Sequence, residues 1–302
     1  MDERPAGTHS GAAIELTDTP FFAQEAYQCG PAALATVLQH ANVSVQPEAL
    51  VPRVYLPQRR GSLQTELVAT ARAYGRVPYL IDPSLKALIE ELQAGHPVLV
   101  LQNLGLRLYA VWHYAVVIGY SPADDELILR SGRDRRLRQS VRRFLATWEP
   151  SDYWGLIVLK PGQLPANPEP ARYLRSVAAL EEVGQIEAGQ QAYAAAVRQW
   201  PDNPTAWFGL GNAHYGAGGL AAATAAYRQT LELDPANAAA RNNLALTLAD
   251  RGFYAAALAT LRTALADEPS DSPMRRILLE TQREIIQRRQ EIGARRPQPA
   301  QP

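Results

Sequence analysis

The sequence has almost none of the residues that build disulfides and metal clusters. Cys29 is the only cysteine, which excludes an internal disulfide and a cysteine-based metal cluster. The five histidines are scattered along the chain, without a close pair at metal-ligand spacing. From these shortages we expect neither a metal ion nor a cofactor, and the single thiol needs an explanation of its own.

The sequence also lacks an excess of charge of one sign and any long apolar run. Lys plus Arg and Asp plus Glu number 30 each, so the net charge gives no argument for a nucleic-acid partner. No apolar run approaches the roughly 20 residues of a membrane-spanning helix, and residues 1–18 lack the apolar core of a signal peptide. We therefore expect no nucleic acid, no transmembrane segment and no signal peptide in this sequence.

Cys29 stands just ahead of a helical pattern. The apolar residues that follow recur at i, i+3 and i+4 spacing through Leu38, and Pro31 suits the first turn of a helix. The unpaired N–H groups and the macrodipole at a helix N-terminus favour a negative charge, so we expect a lowered thiol pKa and a nucleophile. The alternative is that Cys29 is a small buried apolar side chain.

A histidine lies far downstream, at the start of a predicted strand. The segment WHYAVVIGY has an apolar run closed by glycine, which places His113 at the beginning of that strand. An imidazole beside a thiol can act as general base and acid. Gln24 would add an amide N–H to an oxyanion hole, with the Cys29 backbone N–H as the other donor. The alternative is a strand-end histidine whose ring is satisfied by the backbone.

These blocks together form a specific pattern. Gln24 is followed after four residues by Cys-Gly-Pro-Ala-Ala-Leu, and His-Tyr-Ala-Val-Val-Ile-Gly-Tyr comes later. The pattern resembles the papain-like cysteine peptidases of the bacteriocin-processing type, peptidase family C39, over residues 18–160. With the segments PVLVLQNLG and LRSG it looks like the PA2778-type branch, in which such a domain precedes tetratricopeptide repeats. The resemblance implies an α+β papain-like fold with catalytic roles for Cys29, His113 and Gln24.

The sequence departs from the family's pattern at the third catalytic position. The family places an aspartate on the strand after the histidine, whereas the matching segment LILRSG has Ser131 there. Ser131 cannot supply a carboxylate, but its hydroxyl would orient the imidazole by a hydrogen bond. Asp134, in the loop that follows, is the alternative. Gln24 also departs from the pattern, because it lies five residues before Cys29 instead of six.

Beyond residue 170 the sequence repeats itself. The spacing of Pro201, Pro235 and Pro269 matches the period of the tetratricopeptide repeat, about 34 residues, and small and aromatic residues recur between them. Three such helix pairs stack into an all-α solenoid whose concave groove suits peptide segments. The candidates for groove contact are Asn212, Arg241 and Asn243. The alternative is that polar residues here only solvate a helix face.

These patterns divide the chain into five segments. They are a disordered lead-in over 1–17, a C39-like peptidase domain over 18–160, a proline-rich linker over 161–169, three repeats with a capping helix over 170–290, and a disordered tail over 291–302.

The sequence thus predicts a cysteine peptidase whose repeats recruit a protein or peptide substrate. Two alternatives stay open: a thioacyl transferase or amidase that uses the same Cys29–His113 pair, and a weak or inactive adaptor that binds peptides. The missing carboxylate at Ser131 favours the adaptor. The resemblance further implies a separate membrane or export partner and an exported or periplasmic, lipoprotein-like location, with the cytoplasm as the alternative.

Overall fold

The computed structural model describes residues 12–23, 29–59, 61–106 and 108–295. The chain divides between Ala188 and Gly189 into two compact units, and each is described here by itself. None of the helices within these described ranges combines the length and the apolar character needed to cross a bilayer.

Within the ranges given above, the first unit is built from an antiparallel sheet and six α-helices. The strands are β1 (Ile14–Glu15), β2 (Val77–Leu80), β3 (Val98–Asn103), β4 (Trp112–Ser121), β5 (Glu126–Ser131), β6 (Asp134–Ser140) and β7 (Gly155–Leu159). The helices are α1 (Cys29–His40), α2 (Pro47–Val54), α3 (Gln64–Ala73), α4 (Leu85–Gln93), α5 (Val141–Trp148) and α6 (Pro170–Glu181), with 3₁₀ turns at Pro57–Arg59 and Glu149–Ser151.

The sheet has the strand order β2-β7-β3-β4-β5-β6, and β1 pairs with β4. Strands β3 to β6 therefore form a meander, in which the β3–β4 hairpin and the β5–β6 turn lie at the same end of the sheet. This is the α+β architecture that the sequence predicts, and the strand predicted to begin at His113 is present as β4.

The main core of this unit lies between helix α1 and one face of the sheet. Leu34 and Leu38 of α1 pack in one cluster with Leu99, Val116 and Ile118 of the sheet, and all five side chains are fully buried or nearly so. Strand residues alternate between the two faces. Gln102 of β3 therefore points away from the face that carries Leu99. On that second face it contacts helix α5, where Gln102 Nε2 donates a 2.7 Å hydrogen bond to Thr147 Oγ1.

The N-terminal segment is part of the sheet from residue 14 onward. Ile14 pairs with Tyr120, and Gly119 makes the approach possible because a Cβ there would lie 2.5 Å from the Ile14 carbonyl oxygen. The predicted disordered lead-in over 1–17 therefore differs from the structure at the ordered residues 12–17, because backbone pairing anchors them. Residues 1–11 of the lead-in lie outside the described residues.

The predicted linker over 161–169 is bonded to the first unit along its length. Ala166 N donates to Glu91 Oε1 at 3.0 Å, and Glu169 N donates to the Tyr79 hydroxyl at 3.1 Å. Helix α6 continues this contact, since Arg172 forms an ion pair with Asp82 at 2.7 Å. Proline-rich composition indicates an extended segment, but it does not reveal whether polar partners lie alongside it.

The second unit is entirely helical. After α7 (Ile186–Gln199), its helices are α8 (Pro204–Gly216), α9 (Leu220–Leu233), α10 (Ala238–Asp250), α11 (Tyr254–Asp267) and α12 (Pro273–Arg295). Small residues let the helices cross closely: a Cβ on Gly211 of α8 would lie 2.5 Å from Tyr227 Cε1 of α9. Helix α12 runs to Arg295, five residues into the predicted disordered tail over 291–302, and residues 296–302 lie outside the described residues.

Candidate active site

Cys29 is the first residue of α1, as the sequence predicts. Its side chain is half-buried and packs against the core between α1 and the sheet, and the residues after it, Gly30 and Pro31, are buried. The backbone N–H groups of Cys29, Gly30 and Tyr114 are directed at the thiol. The sulfur thus lies at the meeting point of a helix N-terminus and strand β4.

The pKa of the Cys29 thiol is raised above its ordinary value, because burial disfavours the thiolate. The three backbone N–H groups lower the pKa, but their effect is smaller than that of burial. The sequence-based expectation of a lowered thiol pKa is therefore wrong for this arrangement. A helix N-terminus favours a thiolate only where the sulfur keeps enough contact with solvent.

His113 lies at the start of β4, and its ring contacts Ser131 at the end of β5. The Nε2 atom of His113 and the Oγ atom of Ser131 are 2.9 Å apart. This is the contact by which the sequence analysis expected Ser131 to orient the imidazole. The pKa of His113 is lowered because burial disfavours the imidazolium, so the ring is neutral near pH 7.

The Ser131 contact engages the Nε2 atom of the ring. With a proton on Nε2, the ring donates to Ser131 Oγ, and Nδ1 is left as the acceptor. The thiol lies at the N–H group of Tyr114, the residue after His113. The thiol therefore lies at the residue that follows His113 in β4, and burial favours the neutral form of both groups.

The other predicted site residues have different outcomes. Gln24 lies outside the described residues. Asp134, the alternative partner of His113, is exposed at the start of β6, and Ser131 makes the recorded bond to the ring. Within the described residues, no group of three or more His, Cys, Asp or Glu side chains is arranged to hold a metal ion.

Asn103 organises the loop that leads into His113. Its Oδ1 atom accepts hydrogen bonds from the backbone N–H groups of Gly105 at 3.0 Å and Val111 at 2.9 Å. Asn103 is buried at the end of β3 and faces Trp112 across the strand pair. The β3–β4 hairpin therefore has a fixed base next to the imidazole.

Gly30 and Ser62 make a close contact that the sequence does not reveal. Ser62 lies just before helix α3, which begins at Gln64 after Leu63, and the Ser62 side chain does not cap that helix. Instead, Ser62 Oγ is buried without a hydrogen-bond partner in the described structure, and a Cβ on Gly30 would lie 2.2 Å from it. The Gly directly after Cys29 was the available signal that another group comes close.

Gly30→Ala is expected to displace Ser62 and disturb the first turn of α1. Overpacking of this kind costs about 1–3 kcal/mol of unfolding free energy, which urea denaturation would measure. The double variant Gly30→Ala with Ser62→Gly removes the clashing atoms, so it should recover most of the loss. If the double variant is no more stable than Gly30→Ala alone, the contact with Ser62 is not the cause.

The three groove candidates of the second unit make bonds within that unit. Asn212 Oδ1 accepts from the Tyr227 hydroxyl at 2.8 Å and from Asn243 Nδ2 at 3.0 Å. Arg241 forms an ion pair with Asp267 at 2.5 Å. All three side chains are half-buried, and their role in binding a peptide stays a prediction.

Family models match both parts of the chain. A model of the Peptidase_C39 like family matches residues 16–153, and the Tetratricopeptide repeat model matches residues 174–238 and 211–273. No curated protein matches the chain.

Solved structures similar to the chain include one assigned as a C39-like peptidase from Bacillus anthracis, with 16% identity and a TM-score of 0.43 over 50% of this chain and 98% of that one. The peptidase domain of Streptococcus ComA has 23% identity and a TM-score of 0.39, and the match covers 47% of this chain and 98% of that domain. The Sgt2 TPR domain from Aspergillus fumigatus has 22% identity and a TM-score of 0.38, and the match covers 45% of this chain and 90% of that domain.

Proposed function

Because the chain carries a C39-like peptidase domain followed by tetratricopeptide repeats, we propose that it is a cysteine peptidase that cleaves a protein or peptide substrate. The observation that carries the proposal is the 2.9 Å contact between His113 Nε2 and Ser131 Oγ. With the proton on Nε2, the Nδ1 atom is the base in this proposal, and the Cys29 thiol lies at the backbone N–H of the next residue, Tyr114.

The reaction proposed begins from a neutral thiol and a neutral imidazole. His113 Nδ1 takes the thiol proton as Cys29 Sγ attacks the substrate carbonyl carbon. The Cys29 backbone N–H, with the Gln24 amide as the second donor, stabilises the oxyanion. The His113 imidazolium then gives its proton to the leaving amine, which leaves a thioester on Cys29. Water, deprotonated by His113, hydrolyses this thioester.

Ser131 takes the place of the family's aspartate in this proposal. Its hydroxyl fixes the ring orientation and the tautomer, which are two of the functions of a third catalytic group. A neutral hydroxyl stabilises an imidazolium less than a carboxylate would. We therefore infer a slower peptidase than one with aspartate at this position.

The repeats are proposed to recruit the substrate or a partner. Asn212 and Asn243 form a connected polar pair, and Arg241 adds a half-buried guanidinium. A peptide in the groove would exchange these internal bonds for bonds to its backbone or a carboxylate. We further propose that the peptidase domain spans 18–160 and the repeats span 170–290, as in the PA2778-type branch. In this proposal the chain is exported and works with a separate membrane or export partner.

A weak or inactive adaptor is the second candidate. The raised pKa of Cys29 and the absence of a carboxylate at Ser131 favour it, because both lower the fraction of thiolate at neutral pH. A thioacyl transferase or amidase shares the first half of the mechanism and differs only in whether an amine or water takes up the acyl group.

A degenerate peptide library incubated with the full chain and followed by mass spectrometry separates these functions. A peptidase cleaves library members, whereas Cys29→Ala and His113→Ala, used as matched controls, do not. Added hydroxylamine captures the acyl group as hydroxamate if a thioester forms, and a transferase gives amine adducts when the library supplies the acceptor. If neither cleavage nor an adduct is found at any library composition, the adaptor is the function that remains.

The raised pKa of Cys29 predicts how the resting thiol reacts with iodoacetamide. Below its pKa the thiol is protonated and unreactive, so the alkylation rate should rise with pH and level off only above the free-thiol pKa of about 8.5. Glutathione in the same solution is the control, and the chain unfolded in urea should return to the free-thiol value. A midpoint below that of glutathione would show that a thiolate–imidazolium pair exists before substrate binds.

A further inference from the structure

The β3–β4 hairpin exposes a set of large apolar side chains beside the active site. We name the described residues 104–106 and 108–112 the apolar hairpin. Six of its large apolar side chains are exposed: Leu104, Leu106, Leu108, Tyr109, Val111 and Trp112. Their exposed fractions range from 49% at Trp112 to 90% at Leu108. Single exposed apolar residues are ordinary, whereas a contiguous group marks an interaction site.

The apolar hairpin is a built element with its backbone bonded internally. Leu104 N donates to Val111 O at 2.9 Å, and Tyr109 N donates to Leu106 O at 3.0 Å. Gly105 allows the tight turn, since a Cβ there would lie 2.2 Å from the Tyr109 carbonyl oxygen. With Asn103 fixing the base, the hairpin presents its side chains without leaving these backbone groups unpaired.

The apolar hairpin is exposed on both of its faces. Neighbouring residues in extended chain point in opposite directions, yet Leu108 and Tyr109 are both exposed, and so are Val111 and Trp112. A loop that docks on a protein surface needs one apolar face. A tip whose described apolar side chains are exposed on both faces suits a medium that surrounds it, such as the interfacial region of a bilayer.

Uncompensated arginines lie at the same end of the sheet. The β5–β6 turn shares this end with the apolar hairpin and carries exposed Arg133 and Arg135, with Asp134 between them. Neither arginine has an ion-pair partner among the described residues, whereas Arg136 and Arg138 of the same strand pair with carboxylates. This turn therefore adds net positive charge next to the apolar tip.

We propose that the apolar hairpin inserts into the interface of an anionic lipid bilayer, with Arg133 and Arg135 against the headgroups. Apolar burial combined with attraction to anionic lipid is how peripheral proteins bind membranes. His113 follows Trp112 directly, so the active site faces the bilayer surface. The proposal rests on shape and charge at this end of the sheet and does not depend on peptidase activity.

Co-sedimentation of the full chain with vesicles tests the proposal. The chain should pellet with phosphatidylcholine–phosphatidylglycerol vesicles and much less with phosphatidylcholine alone. The pair Leu106→Ser with Leu108→Ser should reduce partitioning by about 10- to 100-fold, from the burial of one or two leucines. The pair Arg133→Gln with Arg135→Gln should reduce it by about 30-fold on anionic vesicles only, at about 1 kcal/mol per arginine.

Matched controls come from other surfaces of the same chain. Phe253→Ser removes an exposed aromatic from the second unit, and Arg142→Gln with Arg143→Gln removes two exposed arginines from the first turn of α5, which follows β6 at the opposite end of the sheet. These variants should bind vesicles as the wild type does. All the substituted side chains are exposed, so equal thermal unfolding midpoints would confirm that the fold is kept.

Four outcomes would overturn the proposal. The wild type stays in the supernatant with both vesicle types, or the leucine variant binds as well as the wild type. Alternatively, gel filtration shows an oligomer that the leucine variant abolishes while vesicle binding is absent, which makes a second copy of the chain the occupant. An apolar peptide segment as occupant would appear as cleavage-site selectivity lost in the leucine variant without any vesicle binding.

Discussion

Replacing His113 with alanine is expected to lower the rate of Cys29 acylation by about 10²–10⁴-fold, the usual contribution of general acid–base catalysis. The raised thiol pKa makes the dependence strong, because little thiolate exists at neutral pH unless a base removes the proton during attack. Single-turnover formation of the acyl-enzyme, with the best peptide from the library, measures this step directly.

Ser131→Ala separates orientation from proton transfer. It removes the 2.9 Å contact to the ring but leaves the base in place, so we expect a smaller loss, about tenfold, in kcat with little change in KM. Ser131→Thr keeps the hydroxyl and should retain most activity. If Ser131→Ala lowered KM and kcat equally or left both unchanged, the contact would have no part in orienting His113.

Ser131→Asp tests the same contact through pH. An aspartate carboxylate beside Nε2 favours the imidazolium, so it should raise the pKa of His113, which burial now lowers. The acid limb of kcat/KM in the wild type should lie below the ordinary histidine value of about 6.5, because a lowered pKa keeps the ring neutral to lower pH. In Ser131→Asp this limb should move to higher pH.

The positions of the main site residues could be predicted because each depends on local patterns. Apolar spacing after Pro31 fixed where α1 begins, and the apolar run after His113 fixed strand β4. Ser131 came from the resemblance to family C39, which places a third catalytic group on the strand after the histidine, and its hydroxyl lies 2.9 Å from the ring. The repeats were evident from their period alone.

The features that could not be predicted depend on contacts between distant segments. The direction of the thiol pKa is set by how deeply α1 and the sheet bury Cys29, and no local pattern encodes burial. Strand β6 was missed because DRRLRQS has a single apolar residue, Leu137, and owes its place to pairing with β5. The Gly30–Ser62 contact joins residues from two different helical regions in the same way.

The buried guanidinium of Arg130 carries the second large effect, on stability. Arg130 is 5% exposed, and its donors bond only to backbone: Thr19 O at 3.0 and 3.3 Å, Thr17 O at 3.4 Å, and the Arg135 carbonyl oxygen. Arg130 of β5 therefore links β6 and the segment after β1 to β5 through hydrogen bonds. The segment so held, 17–19, leads toward the residues before Cys29.

Arg130→Met is expected to lower the free energy of unfolding by about 1–3 kcal/mol, because methionine keeps the apolar stem but leaves the buried Thr19 carbonyl group unpaired. Urea denaturation measures the loss, and limited proteolysis should show earlier cleavage within 12–23. Arg136→Met is the matched control: it breaks the exposed ion pair with Glu15 and should change stability little, since exposed pairs contribute little. Equal losses in both variants would mean that loss of positive charge from these neighbouring strands, and not the bonds to Thr17 and Thr19, explains the effect.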